Sequence, residues 1–205
     1  MRHRHLKTVM AAAVSSSMFL WTSAAHATFH LWQIDQVYSN ASGSVQFIEF
    51  KQPSFEFDDE RFLTEAGTTT DSTFGNTYTY LTNLPSAPLA NSDFLMATPG
   101  YAALPGVPAP DYTFASNDFF SVNGDTITYA HGISTFTFGP GQLPLDGVDS
   151  LHRAYGSSTI TPGLAVVTNF AGQTGTIPVP EPTTAAVLAG GALLGLAARR
   201  RRAIA

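Results

Sequence analysis

Four acids fall within five residues, Glu56, Asp58, Asp59 and Glu60. They form the densest group of side chains able to do chemistry. Two chemistries use such residues. Glycoside hydrolysis needs a carboxyl acid and a carboxylate base about 5–10 Å apart across a cleft. A calcium site needs roughly six to eight oxygens. Neighbours in sequence do not make a spaced catalytic pair, and the spacing is not that of an EF-hand loop. The plain expectation is a run of solvated loop acids, with calcium at Asp58, Asp59 and Glu60 as the alternative and a polysaccharide-active hydrolase as a third reading. Asp146 and Asp149 in LPLDGVDS could add oxygens, although Asp146-Gly147 reads first as a turn.

Other catalytic groupings are missing from the string. His30, His131 and His152 are far apart, and there is no H-E-x-x-H, no G-x-S-x-G elbow, no P-loop and no dinucleotide fingerprint. The absence of cysteine excludes disulfides, thiolate nucleophiles and Cys-based zinc sites. Asn40-Ala41-Ser42 fits a glycosylation sequon, but in so short a turn Asn40 is expected to supply backbone geometry.

Charge divides the chain into a body and two ends. Between residues 28 and 179 there are fourteen acids against Lys51, Arg61 and Arg153, a net charge of about −11. Such a body repels phosphate backbones, so nucleic acid is not an expected partner. The counter-charge sits at the termini. Arg2, Arg4 and Lys7, the apolar run Val9 to Trp21 and the small-x-small site Ala25-His26-Ala27 have the order of a secretory signal peptide over 1–27. At the other end, sixteen uncharged residues from Thr183 to Ala198 precede Arg199, Arg200, Arg201 and Arg202. As a helix they would span about 24 Å at about 1.5 Å per residue. That nearly crosses a hydrocarbon core of about 30 Å, with arginines reaching to the interface. The four arginines would stay cytoplasmic and leave the body on the far side.

The elements that must position any site carry strand signals. FHLWQIDQVYSN alternates, placing Trp32, Ile34 and Tyr38 on one face and Leu31 and Val37 on the other. SVQFIEFKQ is apolar on both faces (Val45 and Phe47 against Ile48 and Phe50), as expected of a strand inside a sandwich. In FFSVNGDTITYA, Asn123-Gly124 predicts a two-residue hairpin pairing Phe120 and Val122 with Ile127 and Tyr129. STFTFG, GLAVVTNF, TYTYL and DFLMA supply further strands. Residues 54–75 read as a surface excursion with one short helical turn, and 171–178 as a linker. Many short strands joined by Pro/Gly loops predict an all-β sandwich over 28–170.

Two resemblances rest on these residues. IDQVYSN with SVQFIEF, then DFLMATPGYAAL, FFSVNGDTITYAHG and LPLDGVDSLHRAYG, resemble the ordered segments of lamin-tail-like domains over about Ile34 to Tyr155. That likeness implies an immunoglobulin-like β-sandwich with an interaction or scaffold role and no catalysis. The second lies in Val179-Pro180-Glu181-Pro182, the Gly/Ala/Leu run and the Arg cluster, which resemble the PEP-CTERM sorting family of Gram-negative bacteria over 179–205. It implies recognition of Val179, Pro180, Glu181 and Pro182 by the membrane protease exosortase, transient inner-membrane anchoring, and release or transfer outward in cells that make extracellular polysaccharide and biofilm. The prolines lack N–H donors and bias the preceding residues to extended backbone, which keeps such a motif open to a protease. The combined expectation is an exported, non-enzymatic surface or matrix protein. The alternative is a module binding calcium or polysaccharide.

Overall fold

The structure is a computed structural model and describes residues 31–54 and 58–178. The signal peptide, the transmembrane helix and the sorting segment expected from the sequence lie outside these residues. Twelve strands are described: β1 (Gln33–Ser39), β2 (Gln46–Lys51), β3 (Thr68–Asp71), β4 (Thr77–Thr79), β5 (Asp93–Ala97), β6 (Tyr112–Thr113), β7 (Asp125–Tyr129), β8 (Ser134–Phe138), β9 (Asp149–His152), β10 (Thr161–Leu164), β11 (Val166–Thr168) and β12 (Thr174–Thr176). Two one-turn helices, α1 (Leu63–Ala66) and α2 (Pro99–Ala102), complete the set with short 3-10 turns. The β-rich expectation holds.

Three sheets form. The order is β10-β9-β1-β2-β5-β6 in the six-stranded sheet and β4-β3-β7-β8 in the four-stranded one, with β11-β12 as a separate hairpin. All pairings are antiparallel except β5 with β6. The six-stranded sheet is covered on both faces. One face (Trp32, Ile34, Ile48, Phe50, Phe94 and Met96) shares a core with Ile127, Tyr129, Phe136 and Phe138 of the four-stranded sheet. The other face (Tyr38, Phe47, Leu95 and Ala97) packs on Tyr101 of α2 and on Ala165, Val167 and Ile177 around the hairpin. The two apolar faces read from β2 are these two cores.

Strand β1 departs from simple alternation. A bulge falls between Ile34 and Gln36, because Ile34 pairs with Phe50 while Gln36 already pairs with Glu49. The extra residue, Asp35, shifts the phase, so Val37 joins Trp32 and Ile34 in the first core and Tyr38 moves to the second. The predicted grouping of Trp32, Ile34 and Tyr38 on one face is corrected by that one residue.

The Asn123-Gly124 hairpin is also corrected. Strand β7 pairs with β8 on one side and β3 on the other, and residues 119–122 are not a strand. Phe120 is instead buried, with its N–H donated to Gln46 Oε1 at 3.2 Å. The Asp125 carboxylate gathers the Ser121, Ser72 and Thr73 N–H groups at 2.8, 3.0 and 3.1 Å and so fixes the turn as an Asx-type entry into β7. Gly124, at φ 109°, is required because a Cβ there would lie 3.1 Å from the backbone of Gly139 and Pro140.

Two further expectations change. The supposed surface excursion contains β3, an inner strand of its sheet. Residues 171–178 are part of the fold, not a linker. Strand β12 pairs Thr174, Gly175 and Thr176 with Thr168, Val167 and Val166, and Ile177 is buried. Asn169 closes the hairpin, its Oδ1 accepting the Gln173 N–H at 3.0 Å.

Candidate functional site

Glu56 lies outside the described residues, and the three acids that follow it are divided. Asp58 and Asp59 are exposed, whereas Glu60 is fully buried on the 3-10 turn Asp58–Arg61. The Glu60 Oε2 accepts the Leu31 N–H at 2.8 Å, and its carbonyl accepts the Trp32 indole N–H at 2.9 Å. Burial pushes its carboxyl up to about 7, against the pull of the Leu31 and Trp32 backbone N–H groups. Glu60 therefore fastens the start of β1, and the expected set of three loop acids is split. Among the described residues no group of three or more His, Asp or Glu side chains is arranged to hold a metal ion.

The remaining candidates are also separated. His131 sits in the β7–β8 turn at φ 57°. His152 Nε2 lies 2.9 Å from Ser150 Oγ and 3.1 Å from the Leu164 carbonyl, between β9 and β10. His30 lies outside the described residues. Asp146 Oδ1 accepts the N–H groups of Val148 and Asp149, both at 2.9 Å, and these bonds lower its pKa. It is the turn residue that Asp146-Gly147 predicted. Asn40 likewise serves the β1–β2 turn, its Oδ1 accepting the Val45 N–H at 3.2 Å.

A common rule emerges for the buried acids. Asp71 accepts the N–H groups of Phe74 and Asn76 at 2.6 and 2.5 Å. Asp111 Oδ2 joins Leu95 and Phe170 at 2.8 and 2.9 Å. Glu49 Oε2 accepts the Thr168 N–H at 2.9 Å, and burial pushes its carboxyl up to about 9. These carboxyl groups accept backbone N–H groups of strands and turns that the sheet ladders leave unpaired. Glu49 and Asp111 in particular dock the β11–β12 hairpin on the large sheet. Sequence reasoning misses them because single acids at scattered positions carry no motif.

Arg153 is missed in the same way. Its Nε and Nη2 donate to the Ile34 carbonyl at 3.1 and 2.7 Å, Nη2 also donates to Ser134 Oγ at 2.8 Å, and Nη1 donates to the Thr135 carbonyl. The guanidinium lies 5.1 Å from the centre of the Phe136 ring. It ties β1 to β8, and so one sheet to the other. A polar pocket of about 300 Å³ opens beside it, bordered by Gln33, Ser157 and Ser158.

The larger opening, about 410 Å³, is a groove lined mainly by Tyr38, Val45, Leu104, Leu145, Ile177 and Pro178. Its rim is where the described chain ends. Val179, Pro180, Glu181 and Pro182, together with Arg199, Arg200, Arg201 and Arg202, come after it in the sequence. Ala25 and Ala27 of the expected signal cleavage site precede the described residues at the other end.

The C-terminal segment beyond the groove matches a known family. Residues 178–202 fit the family model of the PEP-CTERM protein-sorting motif. The chain therefore carries a signal for exosortase sorting to the cell envelope or surface, attached directly to the last residues of the folded body. No curated protein and no solved structure matches the chain. Among the described residues no helix is long and apolar enough to cross a membrane.

Proposed function

We propose that this is an exported, exosortase-sorted surface or extracellular-matrix protein whose body is a non-catalytic structural or interaction module in a polysaccharide-rich envelope. The observation that carries the reading is the PEP-CTERM motif at 178–202, which begins as the β-rich body ends. The use of buried carboxylates as loop fasteners supports a structural role for the acids and gives no support to a hydrolase. An immunoglobulin-like, lamin-tail-like reading of the body is supported by the opening β1–β2 hairpin and by two sheets sharing one core. In this reading exosortase contacts Val179 to Pro182, and the apolar run with its arginines holds the chain in the inner membrane until processing.

The test is fractionation of cells expressing a variant with Pro180, Glu181 and Pro182 all changed to Ala. The variant is expected at full length in the inner membrane, with the wild-type protein smaller and outside it. Unchanged size and unchanged release would remove the recognition role.

A further inference from the structure

Each strand of the four-stranded sheet carries a Thr-x-Thr pair: Thr77 and Thr79 on β4, Thr68 and Thr70 on β3, Thr126 and Thr128 on β7, Thr135 and Thr137 on β8. The intervening residues Tyr78, Thr69, Ile127 and Phe136 turn inward, so threonine fills every outward position of the sheet. The register aligns them. Thr77 faces Thr70, Thr70 faces Thr128 and Thr128 faces Thr135, an unbroken row across all four strands. Shorter rows flank it, Thr79 with Thr68 on one side and Thr126 with Thr137 on the other. Neighbours in a row are about 4.8 Å apart, and successive rows about 7 Å.

The chemistry of the face is uniform. Thr126 and Thr137 Oγ1 share a hydrogen bond at 3.0 Å, and the other six hydroxyls have no partner among the described residues. None of the eight positions is charged, in a body that carries fourteen acids. None is aromatic either. Sheet propensity alone would be met equally by Val, Ile or Tyr at some of these places. Threonine's branched Cβ restricts χ1, so each residue holds a methyl and a hydroxyl in a restricted orientation.

A charged ligand would find no counter-charge here, and a sugar ring no aromatic platform. What matches in charge and in repeat is an uncharged surface of O–H groups ordered in two dimensions on a scale of a few ångströms. We infer that the threonine face of the four-stranded sheet binds the surface of ice. Hydroxyls would enter the water lattice, and the methyl groups between them would hold the adjoining water in place. Sorting to the cell exterior would put the face where ice first meets the cell, although binding itself does not depend on the sorting motif.

The test uses protein recovered from its producing cells, partitioned between a slowly growing ice front and the remaining liquid. Grain growth in frozen dilute solution is followed by microscopy. Several-fold enrichment in ice and slowed grain growth are expected. Thr70→Lys and Thr128→Lys should abolish both with little change in melting temperature, whereas Thr161→Lys on exposed β10 should change neither. If the inner-strand variants fail to fold, Thr135→Lys, at an exposed position of β8, replaces them. Exclusion of the wild-type protein from ice would overturn the inference, as would undiminished binding by a folded Thr128→Lys or Thr135→Lys. Retention on an insoluble neutral polysaccharide without ice affinity would overturn it in favour of a glycan.

Discussion

Glu49 sits beneath the β11–β12 hairpin with its carboxyl pushed from 4.5 up to about 9, first by burial and then by Asp93 and Asp35. A raised folded-state pKa means that the protonated form is the one the fold accommodates. The stability linked to this group is full below about 4.5 and declines as the pH rises toward about 9. Glu49→Gln keeps an acceptor for the Thr168 N–H and removes the titration. Chemical denaturation at pH 5 and pH 8 should show a gain on the order of 2 kcal/mol at pH 8 and little at pH 5. Equal effects at both values would count against the buried protonated state. Arg153 gives a second case. Lysine cannot reproduce a planar fork shared among two carbonyls and a hydroxyl, so Arg153→Lys should cost about 1–3 kcal/mol despite keeping the charge. Stability of the wild-type level in that variant would show that the tie between β1 and β8 contributes nothing.

At the level of elements, the hairpin β11–β12 supplies one wall of the second core and is the part a linker reading would discard. Ile177→Ser removes an apolar side chain packed in that wall, with an expected loss of about 2–4 kcal/mol, and a true linker residue would show none. Its first strand is legible in GLAVVTNF, but β12 is not, because Thr-Gly-Thr offers no apolar side chain and its pairing is arranged by Asn169, Glu49 and Asp111 from elsewhere. Strand β3 is hidden for a related reason. Its inward residues are Thr69 and Asp71, so the polar outward face has no apolar alternation beside it. Strand β2 is legible on both faces because hydrophobic side chains stand on each. At β1 the alternation is real, but one bulged residue reverses its meaning past Asp35. Asn123-Gly124 signals a turn correctly, and the error lies in the partner strand. Burial of Phe119 and Phe120 takes the preceding segment out of the sheet.

Taken whole, the molecule is organised around a sheet with apolar packing on both sides, so resistance to opening should be graded from its middle. Amides of β2, flanked by β1 and β5, are expected to exchange most slowly, with rates near those of global unfolding, while β4 and β10 at sheet edges exchange sooner. Hydrogen-exchange mass spectrometry would report the order directly, and faster exchange in β2 than in β10 would contradict the two-core arrangement. The candidate sorting site is legible because its parts are contiguous and ordered along the chain. The roles of the body's acids are not, since their partners are backbone groups brought near only by folding.

The close join between body and sorting segment also has a mechanical side. Thr176, two residues before the described chain ends, pairs with Val166, the first residue of β11. Tension entering through the C-terminal side would first draw Ile177 from the second core, and then load that pair, Gly175 with Val167, and Thr174 with Thr168, one rung at a time. Antiparallel rungs loaded in series give way at low force, because each carries the whole pull alone. The hairpin would then peel off as a short slack element and leave the two larger sheets unstretched, a built-in shock absorber for a body tethered at its last strand.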